Sequence, residues 1–317
     1  MPNMSFEITG VTPTPSMTLA RTLPQTADEI PNLSPLALFQ SQMSSGSTES
    51  KVDAMKRLQV VARAMCDENG NNEAVMTQLV PYLQSLVLQQ GAEGSVMPPA
   101  AGSNPPSNTT NANNNSPIVL EDEILLMLAK QLKFMVPSLL STPQQILTLL
   151  PILERLAAVE ETVVRDQAVD TVQHVALQLQ LSSAPAAGAS SSSSAATPTT
   201  APPPLVEPSV SQILVGMARR CTTADWFTPK VSVAGMIPTL YQVTHHAELP
   251  YLYRELCQDE TPMVRRAASK SLGKLLEKLG KHASQQSRAS ANELATVCLR
   301  NLCQDEQDSV RMLAVAA

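Results

Sequence analysis

Aromatic residues are scarce: one tryptophan, four tyrosines and four phenylalanines stand in 317 residues. Sheets draw on aromatic and β-branched cross-strand pairs, so this composition disfavours β-rich architectures. Charged residues make up only 16% of the chain, and the formal net charge of −6 comes with no dense run of lysine and arginine. A phosphate backbone would find no electrostatic footprint, which argues against nucleic acid as a partner. The five cysteines, Cys66, Cys221, Cys257, Cys298 and Cys303, show no CxxC spacing, and only four histidines could complete a metal site. Neither a disulfide framework nor a zinc module follows, and a reducing compartment, cytoplasmic and also nuclear, is expected. No stretch approaches the roughly 20 apolar residues needed to span a bilayer, and the N-terminus lacks the pattern of a secretory signal, so no membrane is expected as a partner. Nucleotide-binding glycine loops, nucleophile elbows and HExxH motifs are also missing, so neither an enzyme nor a cofactor is expected.

Three stretches are too polar or too rich in proline to contribute core: residues 1–33, rich in Pro and Thr; 91–117, a Pro/Asn/Ser tract; and 182–208, an Ala/Ser/Pro tract. Burial within them cannot offset a chain entropy of about 1–2 kcal/mol per ordered residue, so they are expected to be a disordered tail and two disordered inserts. The remainder reads as helix. Ile124, Leu125, Leu128, Leu132 and Met135 recur at helical spacing, as do Val163, Val164, Ala168, Val172 and Val175.

The helices repeat in pairs. With Leu156, Cys221, Leu256 and Leu302 as origins, position +4 is acidic each time (Glu160, Asp225, Glu260, Glu306) and +9 is basic (Arg165, Lys230, Arg265, Arg311). Position +8 holds Val164, Pro229, Val264 and Val310, and +12 holds Ala168, Val233, Ala268 and Ala314. The origins lie 65, 35 and 46 residues apart, with the 182–208 tract inside the longest gap. The underlying period of about 40 is that of two-helix HEAT-type repeats. An all-α solenoid over 34–317 follows, with about six helix pairs near 34–66, 73–136, 143–181, 209–243, 246–280 and 289–317. In this pattern the +4 acid caps the second helix of its pair, the +9 base reaches the equivalent acid one repeat away, and +8 and +12 form the stacking face. The sixth pair is expected to be incomplete, because the chain stops shortly after Arg311 with no polar capping repeat.

The strings around these turns are specific: LAAVEETVVRDQAV at 156–169, TADWFTPKVSVAG at 223–235, LCQDETPMVRRAAS at 256–269 and LCQDEQDSVRMLAV at 302–315. They resemble successive HEAT repeats of the scaffold, or structural A-type, subunits of protein phosphatase 2A. The resemblance implies a non-catalytic solenoid that holds regulatory B subunits and a catalytic serine/threonine phosphatase subunit together. It also implies that the turns within early and middle repeats receive regulatory subunits, while the catalytic subunit docks on later repeats, expected to be missing here. Carried over residue by residue, the contact positions are Glu160, Glu161, Trp226, Glu260, Pro262, Arg265, Arg266, Asp305, Glu306 and Arg311. The competing reading is a HEAT adaptor of another pathway, such as nuclear transport or translation control, with no phosphatase partner.

Each of these positions also has a plainer use. Trp226 is the sole tryptophan and stands in a turn, which favours a partner contact over packing. Arg165 and Arg311 occupy the ladder position and favour an internal role. Arg266, outside the ladder, is freer to reach a partner, and Pro262 is a helix starter that stiffens its turn. His245 and His246 are adjacent and point apart, as expected of a solvated turn rather than a metal site. Cys257 and Cys303 are repeat equivalents, and ordinary packing is expected of them.

Overall fold

Helix is the only regular structure among the described residues, which are 34–88, 120–182, 205–281 and 285–316 of a computed structural model. The first half runs α1 (Pro35–Met43), α2 (Thr48–Lys56), α3 (Leu58–Ala64), a π-helical segment (Val75–Leu79) leading into α4 (Val80–Leu88), α5 (Asp122–Met135), α6 (Pro143–Leu147) and α7 (Leu150–Leu156). The second half runs α8 (Thr162–Ser182), α9 (Pro208–Thr222), α10 (Phe227–Thr244), α11 (Glu248–Leu256), α12 (Pro262–Lys281), α13 (Gln285–Cys303) and α14 (Asp308–Val315). The tail and inserts expected from composition fall mainly in residues 1–33, 89–119 and 183–204, outside the described residues.

The helices form two layers. In one, α2, α5, α8, α10, α12 and α14 pack side by side in that order. In the other, α4 packs on α7, and α11 packs on both α9 and α13. An edge-on contact of Phe39 with Tyr82, ring centroids 6.1 Å apart, joins α1 to α4. Arg220 reaches back from α9 to Glu154 on α7 with a two-pronged ion pair at 2.7–2.8 Å. Its neighbour Arg219 reaches forward to Glu248 on α11, also with two prongs, both 2.6 Å. The result is an α-solenoid of six to seven helix pairs, each stabilised chiefly by its neighbours.

The repeat positions explain the packing. All four +8 residues and all four +12 residues are buried, including Pro229 in the first turn of α10. They lie four apart on one helical face, a branched or cyclic side chain followed by a small or medium one, which lets neighbouring helices approach. Gly235 marks a particularly close approach: a Cβ added there would lie 3.2 Å from Val169 Cγ1 on α8. Helix starts follow local chemistry as well. Thr142 and Gln145 form a reciprocal capping box with Pro143 in the first turn of α6, and Pro262 opens α12.

Several expectations need correction. Val163 is exposed: it stands on the outer face of the first turn of α8, beside the buried Val164 and Arg165. The sixth pair begins at Gln285 rather than near 289. The 182–208 tract has ordered borders: Ser182 ends α8, and Val206 is buried with its N–H donating to Val243 O at 3.2 Å.

Candidate partner-binding surface

Every pair from the third onward turns through a short loop between its two helices, at residues 157–161, 223–226, 257–261 and 304–307. These loops expose backbone carbonyls that the preceding helix cannot satisfy. The +9 arginine supplies the missing donor. Arg265 Nη1 donates to Asp259 O at 2.8 Å and Glu260 O at 3.0 Å. Arg165 makes the same fork onto Val159 O and Glu160 O, and Arg311 onto Asp305 O and Glu306 O. One guanidinium, five and six residues downstream, therefore fixes each of these three turns.

The ladder between repeats uses a different acid from the one expected. Lys230 Nζ lies 2.9 Å from Asp259, and Arg265 Nε lies 2.5 Å from Asp305, so each base reaches the next pair at +3 rather than +4. The reason is local geometry. Asp259 and Asp305 fold back onto the N–H groups of Thr261 and Gln307, at 2.8 and 2.9 Å, and this Asx turn aims the second carboxylate oxygen at the preceding repeat. The +4 residues lend their carbonyls to the arginine fork while their carboxylates stay exposed. Where +3 carries no acid, hydroxyls replace the ion pair: Thr228 and Ser232 on α10 donate to Ala158 O and Ala157 O at 2.6 and 2.7 Å.

Arg165 thus has no carboxylate to reach, since the matching +3 residue is Ala224. Ala224→Asp is expected to add the missing rung and raise stability by about 1 kcal/mol. Urea denaturation of the single variant checks this, and Arg165→Gln should cancel the gain.

The Arg265 guanidinium beside Asp305 holds that carboxyl below the usual carboxylate range. Burial pushes Asp259 up, but hydrogen bonds from Thr261 and Lys230 outweigh it and leave it lowered too. A folded value below the unfolded one means stability that is whole above the ordinary Asp value of about 3.9 and lost as pH falls through the lower folded value. Acid unfolding should therefore be shallower in Asp305→Asn than in the parent. Melts between neutral pH and about pH 3 test this.

Seven of the ten predicted contact residues face solvent: Glu160, Glu161, Trp226, Glu260, Pro262, Arg266 and Glu306. Arg265, Asp305 and Arg311 do not: Asp305 is buried, the two arginines are half-buried, and all three hold the turns from inside. Trp226, the N-cap residue of α10, is 56% exposed and leans on Phe227 with ring centroids 5.2 Å apart. Exposed Val163 and Met263 flank the turns of pairs three and five. Their apolar character is plain in the sequence, but their outward direction depends on where each helix begins.

Other predicted features resolve differently. His245 takes a left-handed conformation (φ 48°, ψ 27°) where α10 ends, and both histidines are half-buried rather than solvated. Cys257 is buried while its repeat equivalent Cys303 is exposed, so the two do not share one packing role. A hydrogen bond with Cys298 and burial push the Cys257 thiol up, and burial pushes Cys221 to about 12, which makes both poor nucleophiles. Among the described residues no group of three or more His, Cys, Asp or Glu side chains could hold a metal, and no helix is long and apolar enough to cross a membrane.

The HEAT repeat family model matches residues 249–279, which span α11, the Asp259–Thr261 turn and most of α12. A probable serine/threonine-protein phosphatase PP2A regulatory subunit of Caenorhabditis elegans is 38% identical over 198 residues, covering 62% of this chain and 28% of that protein. The A-type regulatory subunit of protein phosphatase PP2A from Saccharomyces cerevisiae is 28% identical over 292 residues, 91% of this chain and 36% of that protein. The Drosophila melanogaster PP2A 65 kDa regulatory subunit is 30% identical over 245 residues, 76% of this chain and 31% of that protein. The chain is a HEAT-repeat protein related to the A-type regulatory subunits of PP2A. It spans about a third of the length of these curated relatives. The 91% coverage by the yeast relative takes the kinship well beyond the single matched repeat.

Proposed function

We propose that this chain is a non-catalytic scaffold of a PP2A-type serine/threonine phosphatase, and that its turns receive a regulatory B subunit held near the catalytic subunit. The observation that carries the reading is the exposed row at and beside the turns, Glu160, Glu161, Trp226, Glu260, Pro262, Arg266 and Glu306, with the turns of pairs three, five and six stiffened from within by Arg165, Arg265 and Arg311. Rigid turns lose little entropy on binding, and an exposed tryptophan among mixed charges has the make-up of an interface hot spot. Kinship with PP2A regulatory subunits supports both the partner class and the absence of chemistry of its own.

The test is capture of a purified regulatory B subunit by residues 1–317. Trp226→Ala is expected to weaken capture by at least tenfold, the loss typical of a hot-spot aromatic. Its melting temperature should stay close to that of the parent, because the indole packs chiefly on Phe227 beside it. Unchanged capture by Trp226→Ala and by Arg266→Glu would overturn the assignment of this surface.

A further inference from the structure

The turns leave one strongly charged surface unused. The solvent side of α12 presents Met263, Arg266, Lys270, Lys274, Glu277 and Lys281, spaced by three or four residues along one face of a 20-residue helix, with half-buried Lys278 beside them. Lys281 is paired with Glu277 at 2.5 Å. Arg266, Lys270, Lys274 and Lys278 form no salt bridge among the described residues. Four cations without a salt bridge on one helix stand out in a chain whose net charge is −6.

The helices on either side in the same layer, α10 and α14, offer them no free carboxylate. The only charged residue of α10 is Lys230, already bound to Asp259, and Asp308 on α14 is held by Arg311. Glu277, the one acid on this face of α12, is paired with Lys281, Glu260 and Glu306 sit at the turns near the Arg266 end, and the outward acids Asp166 and Asp170 of α8 lie with all of α10 between. Two interhelical steps of about 8–10 Å put them well beyond the screening length of about 8 Å at physiological salt. Asp170 is moreover taken by Lys133 at 2.7 Å.

We infer that the solvent face of α12 is a docking surface for an acidic, carboxylate-rich peptide segment of a partner protein, seated along Arg266, Lys270, Lys274 and Lys278. From Arg266 to Lys278 is about 18 Å of helix, the reach of about six residues of extended peptide. Neighbouring α10 carries Lys230 and no acid, so a peptide along α12 meets no repulsion from that side. A nucleic acid strand fits less well: α12 carries no aromatic side chain on which a base could stack, and a longer polyanion would run onto Asp166 and Asp170. The site shares Arg266 with the turn surface, while Lys270, Lys274 and Lys278 lie outside that surface and are the residues that the variants below change.

Fluorescence anisotropy with a labelled, glutamate-rich peptide of about eight residues tests this on the full chain. The parent should bind, and raising salt from about 50 mM to about 500 mM should weaken binding steeply. The triple variant Lys270→Glu/Lys274→Glu/Lys278→Glu should bind at least tenfold more weakly, and the matching triple glutamine variant should fall between. Circular dichroism of the glutamine variant shows whether α12 is intact. A control triple, Lys51→Glu/Lys56→Glu/Arg63→Glu, changes net charge equally but lies on α2 and α3, and should bind like the parent. Absence of binding by the parent, equal binding by parent and α12 variants, or equal weakening by the control would each overturn this docking surface. So would tighter binding of a single-stranded oligonucleotide through the same lysines.

Discussion

Arg265→Ala is expected to destabilise the array by about 3–5 kcal/mol, far more than a surface arginine would. The guanidinium does two jobs at once: it forks onto Asp259 O and Glu260 O within its own turn, and it binds both oxygens of Asp305 in the next pair, at 2.5 and 3.2 Å. The Asp305 side chain is only 4% exposed, so removing the arginine leaves a buried carboxylate without its cation. Such a loss costs more than the pair contributes, because the remaining charge stays desolvated. Arg265→Lys keeps the charge but loses the planar fork, and should recover only part of the stability. Asp305→Asn removes the acid rather than the base and should cost less than Arg265→Ala. Chemical denaturation of the three variants gives the order; a loss below about 1 kcal/mol for Arg265→Ala would mean that water replaces the fork at little expense.

That arginine also shows how far a sequence can be read. The +9 base is visible because its role needs one residue type at one spacing, and the same spacing holds at Arg165, Arg265 and Arg311. The buried +8 and +12 positions are legible for the same reason: helical geometry alone places them on one face. Sequence alone misplaces the ladder acid by one residue, because +4 is acidic in all four registers, whereas +3 reads Val159, Ala224, Asp259 and Asp305. Agreement across repeats favours the wrong column. What selects +3 is the Asx turn at Asp259 and Asp305, a backbone event whose sequence mark is an aspartate two residues before Thr261 or Gln307.

The early pairs are harder to read still. The second helix of the first pair breaks at Arg57, between α2 and α3, and the first helix of pair three breaks between α6 and α7 at Thr148 and Leu149, with Pro151 soon after. Neither break keeps the period of the later repeats. The site residues divide on similar grounds. Outward direction at Trp226 and Glu260 follows from turn position, but the inward direction of Asp305 depends on a partner 40 residues away, Arg265, that local pattern does not reveal.

Tyr253→Ala should cost about as much as Arg265→Ala by a different route, about 3–5 kcal/mol from an aromatic-sized cavity. Tyr253 heads the fully buried side chains of the core. It stands on α11, its hydroxyl donates to Ala268 O on α12, and Cys257 and Cys298 lie close by, so the ring is set where α11 meets both α12 and α13. Tyr253→Phe keeps the ring and gives up only the hydroxyl, which should cost about 1 kcal/mol. The difference between the two variants isolates packing from the hydrogen bond. Because each pair in a stacked array depends on its neighbours, the cavity should act locally: amide exchange should accelerate across α11 to α14 while α5 and α8 keep the parent's protection. Uniform acceleration from α5 to α14 would instead show that the array unfolds as one cooperative unit and that Tyr253 reports on the whole of it.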